Sequence, residues 1–182
     1  MGAPHNTKRY GEQWNQHDLA IMSGEIERYL DLIVVSGGWA WHYMSPPHDE
    51  LKHAHDHKDA DVFVAPENLW KLLERLKTDG YEKTWTRFDG VTDDFVRYTK
   101  TIQTDAKPVK IIFDIFAELV PSVQTASGVA VVEPQFLLSL YGKKHSSIEC
   151  FSVAIAKDLI ARGESPLGNP KMADYTKFLK KS

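Results

Sequence analysis

Apolar residues near the start of the chain recur at one period and then switch to another. Between Asn15 and Asp31, Leu19, Met22, Ile26, Tyr29 and Leu30 fall three or four positions apart, the spacing of one buried helix face. Leu32 to Ser36 is continuously apolar and β-branched, which crowds a helix and suits a buried strand. Gly37-Gly38 turns the chain, and Trp39 to Met44 reads as a short helix stopped by Pro46-Pro47. Beyond a charged, histidine-rich loop from His48 to Lys58, Asp59 to Val64 reads as a second strand. Pro66 then sits at a helix start. Leu69, Leu72, Leu73 and Leu76 make the apolar stripe of that helix, which ends at Asp79-Gly80.

The middle of the chain is strand-rich. Tyr81 to Phe88 and Phe95 to Thr104 read as strands on either side of an Asp89-Gly90 turn. After Pro108, Val109 to Phe116 carries the strongest strand signal in the sequence. Ala130 to Val132 is a short apolar run, followed by a helix from Pro134 to about Tyr141. A further helix is expected from Ser146 or Ser147 to Ala161, closed by Arg162-Gly163, with a short basic helix at the end. This order predicts an α/β (α+β) fold, a mixed sheet flanked by helices, with helices at both chain ends. Residues 1–14 read as a loose tail and 15–182 as a single domain, with its C-terminal helical part starting near 134.

Composition narrows the function classes. A length of 182 residues buries a full core without staples. The formal net charge of -3 disfavours a dominant nucleic-acid surface while leaving a local basic cleft open. Cys150 is the only cysteine, which excludes an intrachain disulfide and a cysteine-based zinc cage. No apolar run approaches the roughly 18 residues of a membrane span, and Met1 to Gln16 lacks an apolar leader core. A cytoplasmic location and no membrane partner are therefore expected.

Three groups carry candidate chemistry. Asp59 and Asp61 stand two apart on a strand, so both carboxylates project from one face and repel unless a cation lies between them. An oxygen-preferring divalent ion such as Mg²⁺ relieves that conflict; a solvated strand face is the plainer alternative. Asp114 lies inside the most apolar strand, where a carboxylate needs a ligand or a partner, with Arg97 or Arg87 the candidate partners. Ser36-Gly37-Gly38, between a buried strand and a helix, lets the backbone turn sharply and offers N–H groups to an anion. Taken singly, it is equally an ordinary tight turn.

Together, Ser36-Gly37-Gly38-Trp39-Ala40, His57-Lys58-Asp59-Ala60-Asp61 and Asp114 on a later strand resemble the nucleotidyltransferase superfamily of the polymerase-β type. Within it the pattern is most similar to the small aminoglycoside and lincosamide nucleotidyltransferases. The resemblance covers roughly residues 30–116. It implies a nucleoside triphosphate and Mg²⁺, two ions in all, with Asp59, Asp61 and Asp114 as metal ligands. It also implies Asp114 as a catalytic carboxylate, Ser36, Gly37 and Gly38 as phosphate contacts, and His57 in support. Lys144 and Ser146, at the start of the expected C-terminal helix, are further phosphate-binding candidates. The implied reaction moves a nucleoside monophosphate to a hydroxyl acceptor, a small or drug-like molecule, and releases pyrophosphate. Two alternatives share the fold: a toxin–antitoxin or RNA- or protein-directed nucleotidyltransferase, and a catalytically silent binding protein. Nucleic acid as acceptor is not favoured.

The remaining aromatic and histidine residues have plainer readings. His48, His53 and His55 read as a polar loop rather than a transition-metal site. Trp39, Trp41 and Tyr43 read as core packing before base stacking, Trp70 as core, and Trp85 and Tyr98 as a cross-strand pair.

Overall fold

The computed structural model describes residues 16–44 and 59–142. The sequence expectations for the tail, the histidine loop, the later C-terminal helices, His57, Lys144, Ser146 and Cys150 lie outside those residues. The helices are α1 (Gln16–Glu27), α2 (Gly37–Met44), α3 (Leu69–Thr78, preceded by a 3-10 turn at Pro66–Asn68) and α4 (Pro134–Gly142). The strands are β1 (Ile33–Val35), β2 (Ala60–Val64), β3 (Glu82–Thr84), β4 (Phe95–Ile102), β5 (Val109–Ala117), β6 (Ser122–Gln124) and β7 (Ala130–Val132). They form one mixed sheet in the order β3-β4-β5-β2-β1-β7-β6.

The centre of the sheet explains its two faces. β2 and β5 run parallel, with Ala60 opposite Phe113 and Val62 opposite Ile115. Alternation puts Ile111, Phe113 and Ile115, all buried, on one face with Ala60 and Val62. Tyr29, just past α1, and Tyr81, just before β3, set their rings edge-on against Phe113 at 5.6 and 5.5 Å. The buried stripe of α1, Leu19, Met22 and Ile26, joins the same core. Because that face is taken by apolar packing, the polar members of β2 and β5 are directed to the other side.

The apolar face is held at its rim by a polar network that is buried at Glu25 and Tyr81 and exposed at Arg75 and Asp31. Tyr81 Oη donates to Glu25 Oε2 at 2.6 Å, and Tyr29 Oη to Asp79 Oδ2 at 2.6 Å. Arg28 pairs with Asp79 at 2.6 Å and Arg75 with Asp31 at 2.7 Å, tying α1 and the turn after it to α3. Burial, reinforced by the neighbouring carboxylate, raises both phenols well above the ordinary tyrosine value of 10.0. The unfolded chain therefore releases these protons first. Stability from the two tyrosines is complete below about pH 10 and is lost as pH rises through the folded values. Urea unfolding midpoints at pH 8 and pH 11 check this: the midpoint falls in alkali, and falls less in Tyr81→Phe.

Several sequence expectations need correction. The strand expected over Tyr81 to Phe88 ends at Thr84. The Asp89 carboxylate accepts the Thr86 backbone N–H at 2.6 Å and the Lys83 ammonium at 2.8 Å, curling the chain out of the ladder. Trp85 consequently does not pair with the buried Tyr98. It is 76% exposed, with Lys83 Nζ 4.2 Å from its ring centre. Trp70 is 64% exposed rather than core, because it sits two residues from Leu72 and so on the far side of α3 from the Leu72–Leu76 stripe. The first helix stops at Glu27, short of Asp31. β6 was not expected at all.

Candidate active site

The site begins with register. Asp61 on β2 lies directly opposite Asp114 on β5, and Arg97 on β4 directly opposite Asp114 on its other side. Residues in register project to one face, so Asp61, Asp114 and Arg97 form a row across three adjacent strands. Two residues along, Phe63, Phe116 and Phe95 form a parallel row, with ring centres 5.2 and 5.1 Å apart. An apolar floor thus abuts a charged row, which lowers the local polarity around those charges.

Asp59 lies one residue before β2, half-buried, with its Oδ2 3.8 Å from Arg97 Nη2. Arg97 grips the buried Asp114 with two parallel hydrogen bonds, Nε to Oδ1 and Nη2 to Oδ2, each 2.6 Å. Asp114, first among its neighbours, raises the Arg97 guanidinium further above an already high value, so Arg97 stays charged at any working pH. Of the two expected partners for Asp114, Arg97 is therefore the one in place; Arg87 instead lies over the Phe88 ring at 4.8 Å. Among the described residues no group of three carboxylate, imidazole or thiol side chains converges as a metal cage.

On the other side of Asp61 stands the glycine turn. Ser36 is buried, and its N–H donates to the Asp61 carbonyl at 2.8 Å, fastening the end of β1 to β2. Gly37 has φ of 59°, and a Cβ added there would lie 2.3 Å from Asp61 Oδ2. Only glycine permits that backbone and that approach. Gly37 and Gly38 open α2, so the amide end of a helix faces the Asp61 carboxylate. Trp39 and Trp41 are buried, in keeping with packing. The structure thus brings together Ser36, Gly37, Asp59, Asp61 and Asp114, and Gly38 sits half-buried beside them at the start of α2.

A cleft of about 830 Å³ opens on the Asp114 side of the row, away from Gly37. Its floor is Phe95, Arg97, Asp114 and Phe116; its wall includes Trp85 and Phe88 from the chain between β3 and β4. That wall was missed as a functional element in the sequence. The available signal was two large aromatics beside a polar Asp-Gly turn, where an apolar core has no use for them.

No family model matches the chain, and no curated protein matches it. Solved structures do. A protein from H. pylori, provisionally described as a nucleotidyltransferase, aligns with a TM-score of 0.59 at 14% identity, over 93% of this chain and 78% of its own. JHP933 from Helicobacter pylori aligns at 0.58 and 13% identity, over 82% of this chain and 68% of its own. The fold is nucleotidyltransferase-like. The lincosamide antibiotic adenylyltransferase LnuA, with lincomycin bound, aligns at 0.48 and 12% identity over 81% of this chain and 99% of its own, too loosely to carry an argument. The row Asp61–Asp114–Arg97 lies on β2, β5 and β4, three adjacent strands inside the sheet. Among the described residues, no helix is long and apolar enough to cross a membrane.

Proposed function

We propose that this chain is a nucleotidyltransferase that moves a nucleoside monophosphate from a nucleoside triphosphate to a hydroxyl acceptor. The observation that carries the reading is the register that sets Asp61 beside Asp114 while Gly37 lies against the Asp61 carboxylate. Asp59 and Asp61 supply the hard oxygen donors that suit Mg²⁺, whose bound charge would neutralise phosphate oxygens in the transition state. Ser36, Gly37 and Gly38 offer backbone donors for the β and γ phosphates at the amide end of α2. Lys144, Ser146 and His57 are proposed in supporting roles from the sequence alone.

The acceptor enters the cleft on the opposite side, where Asp114 borders it. Its oxygen attacks the α-phosphorus, the bond from that phosphorus to the bridging oxygen breaks, and pyrophosphate leaves with the electron pair. The hydroxyl proton passes to Asp114 or to a water beside it. Entry from opposite sides is what an in-line displacement requires. The cleft volume suits a small molecule. Around the turn, Glu82, Asp89, Asp93 and Asp94 outnumber Lys83 and Arg87, which disfavours a polyanionic acceptor.

Trp85→Ala should raise the acceptor KM by about 3- to 10-fold with little change in kcat, the effect of losing one aromatic face. Steady-state kinetics with varied acceptor check it. The reaction class itself is tested by incubating the protein with Mg²⁺, each nucleoside triphosphate and a small-molecule cell extract. Pyrophosphate release that depends on extract and on the divalent ion is expected. Release of inorganic phosphate alone would instead indicate phosphoryl transfer or hydrolysis.

A further inference from the structure

We propose that Arg97 takes the place of a second metal ion, so that the site holds one divalent cation, on Asp59 and Asp61, rather than two. This rests on the nucleotidyl-transfer reading above and revises the metal role that the resemblance implies for Asp114. Three observations carry it. The Arg97 guanidinium donates to both Asp114 oxygens at 2.6 Å, the bidentate geometry in which an arginine is hardest to displace. The same guanidinium reaches toward Asp59 at 3.8 Å, so one fixed positive charge stands beside both carboxylates. The pairing is built into the sheet, because Arg97 and Asp114 are register partners on the adjacent strands β4 and β5.

Charge and space then decide the count. A second ion on Asp114 would compete with both short hydrogen bonds for the carboxylate and sit within a few ångströms of a fixed positive charge. The two side chains are 31% and 10% exposed, so water screens that repulsion poorly. Arg97 is thereby a positioning residue. It holds Asp114 at the cleft mouth through two parallel hydrogen bonds, a task to which a planar guanidinium is suited.

The test is electron paramagnetic resonance of Mn²⁺ bound to the full chain with a non-hydrolysable α,β-methylene nucleoside triphosphate. The wild type should bind one Mn²⁺ per chain with an uncoupled spectrum, and Asp114→Asn should leave that count unchanged. Arg97→Met should admit a second ion and give the exchange-coupled spectrum of a close pair. A coupled pair in the wild type, or loss of an ion in Asp114→Asn, would overturn the proposal. If Arg97→Met does not fold, the wild-type and Asp114→Asn counts decide alone. Binding of no Mn²⁺ by any form in the presence of the analogue would instead remove the nucleotidyl-transfer reading beneath it.

Discussion

Asp61→Asn is expected to lower nucleotidyl transfer by roughly 10³-fold, the rate equivalent of about 4 kcal/mol of lost transition-state charge stabilisation. Asp61 is the member of the row that touches both halves of the site. Its carboxylate lies against Gly37, and its strand neighbour is Asp114. The substitution keeps the shape and removes the charge. The fold should survive, because asparagine is nearly isosteric with aspartate and can still accept from the amide end of α2 that Gly37 opens. The expected pattern is thus loss of pyrophosphate release with cooperative unfolding and a melting temperature close to the wild type. A variant that loses activity and stability together would indicate a scaffold role for Asp61.

Gly37→Ala should be the most damaging single methyl group in the molecule. The φ of 59° costs a non-glycine residue about 1–2 kcal/mol by itself. The added Cβ would also stand 2.3 Å from Asp61 Oδ2, so the carboxylate must swing away from its place. Displacement of a reacting group by about 1 Å lowers rates by roughly 10²-fold. Both effects are expected together: a fall of about 100-fold in transfer and a loss of about 1–3 kcal/mol in urea unfolding. Gly24→Ala in α1 is the control, since nothing lies within 4 Å of the added atom and φ is not positive there. Wild-type activity in Gly37→Ala would show that the close approach has no functional part.

The difference between those two glycines shows where sequence reasoning succeeds. Gly37 was singled out because a buried β-branched run ends just before it and an aromatic helix begins just after it. Both elements are strong local signals, and both are in the structure as β1 and α2. Val109 to Phe116 was equally plain, and Asp114 stood out as the one charge late in a run too apolar to hold it unaided. Local pattern does not carry register. Whether Asp114 pairs with Arg97 or Arg87 depends on which residue of β4 faces it, and that follows from the turn over residues 103–108, where Thr104 Oγ1 donates to the Lys107 carbonyl at 2.7 Å. The sequence order of the strands likewise gives no hint that β2 runs between β1 and β5, which is what places Asp61 beside Asp114.

The misplaced aromatics have a common cause. On residue type Trp70 reads as core and Trp85 as a cross-strand partner of Tyr98, whereas period and turn chemistry put both outside. Leu72 and Leu76 define the inner side of α3, and Trp70 falls off it. The Asp89 carboxylate ends β3 early and leaves Trp85 at the cleft. β6, read Ser-Val-Gln, has a polar composition that no strand pattern marks, and it forms because β7 offers it an open edge.

The measurement that bears most directly on nucleotidyl transfer at Asp59 and Asp61 uses triphosphates labelled at the α-phosphate, supplied one at a time with Mg²⁺ and a cell extract. Wild-type protein should move the α label onto an acceptor with stoichiometric pyrophosphate, and Asp59→Ala and Asp61→Ala should both abolish it. Full labelling by both variants, or none by the wild type with any triphosphate, would contradict the assignment.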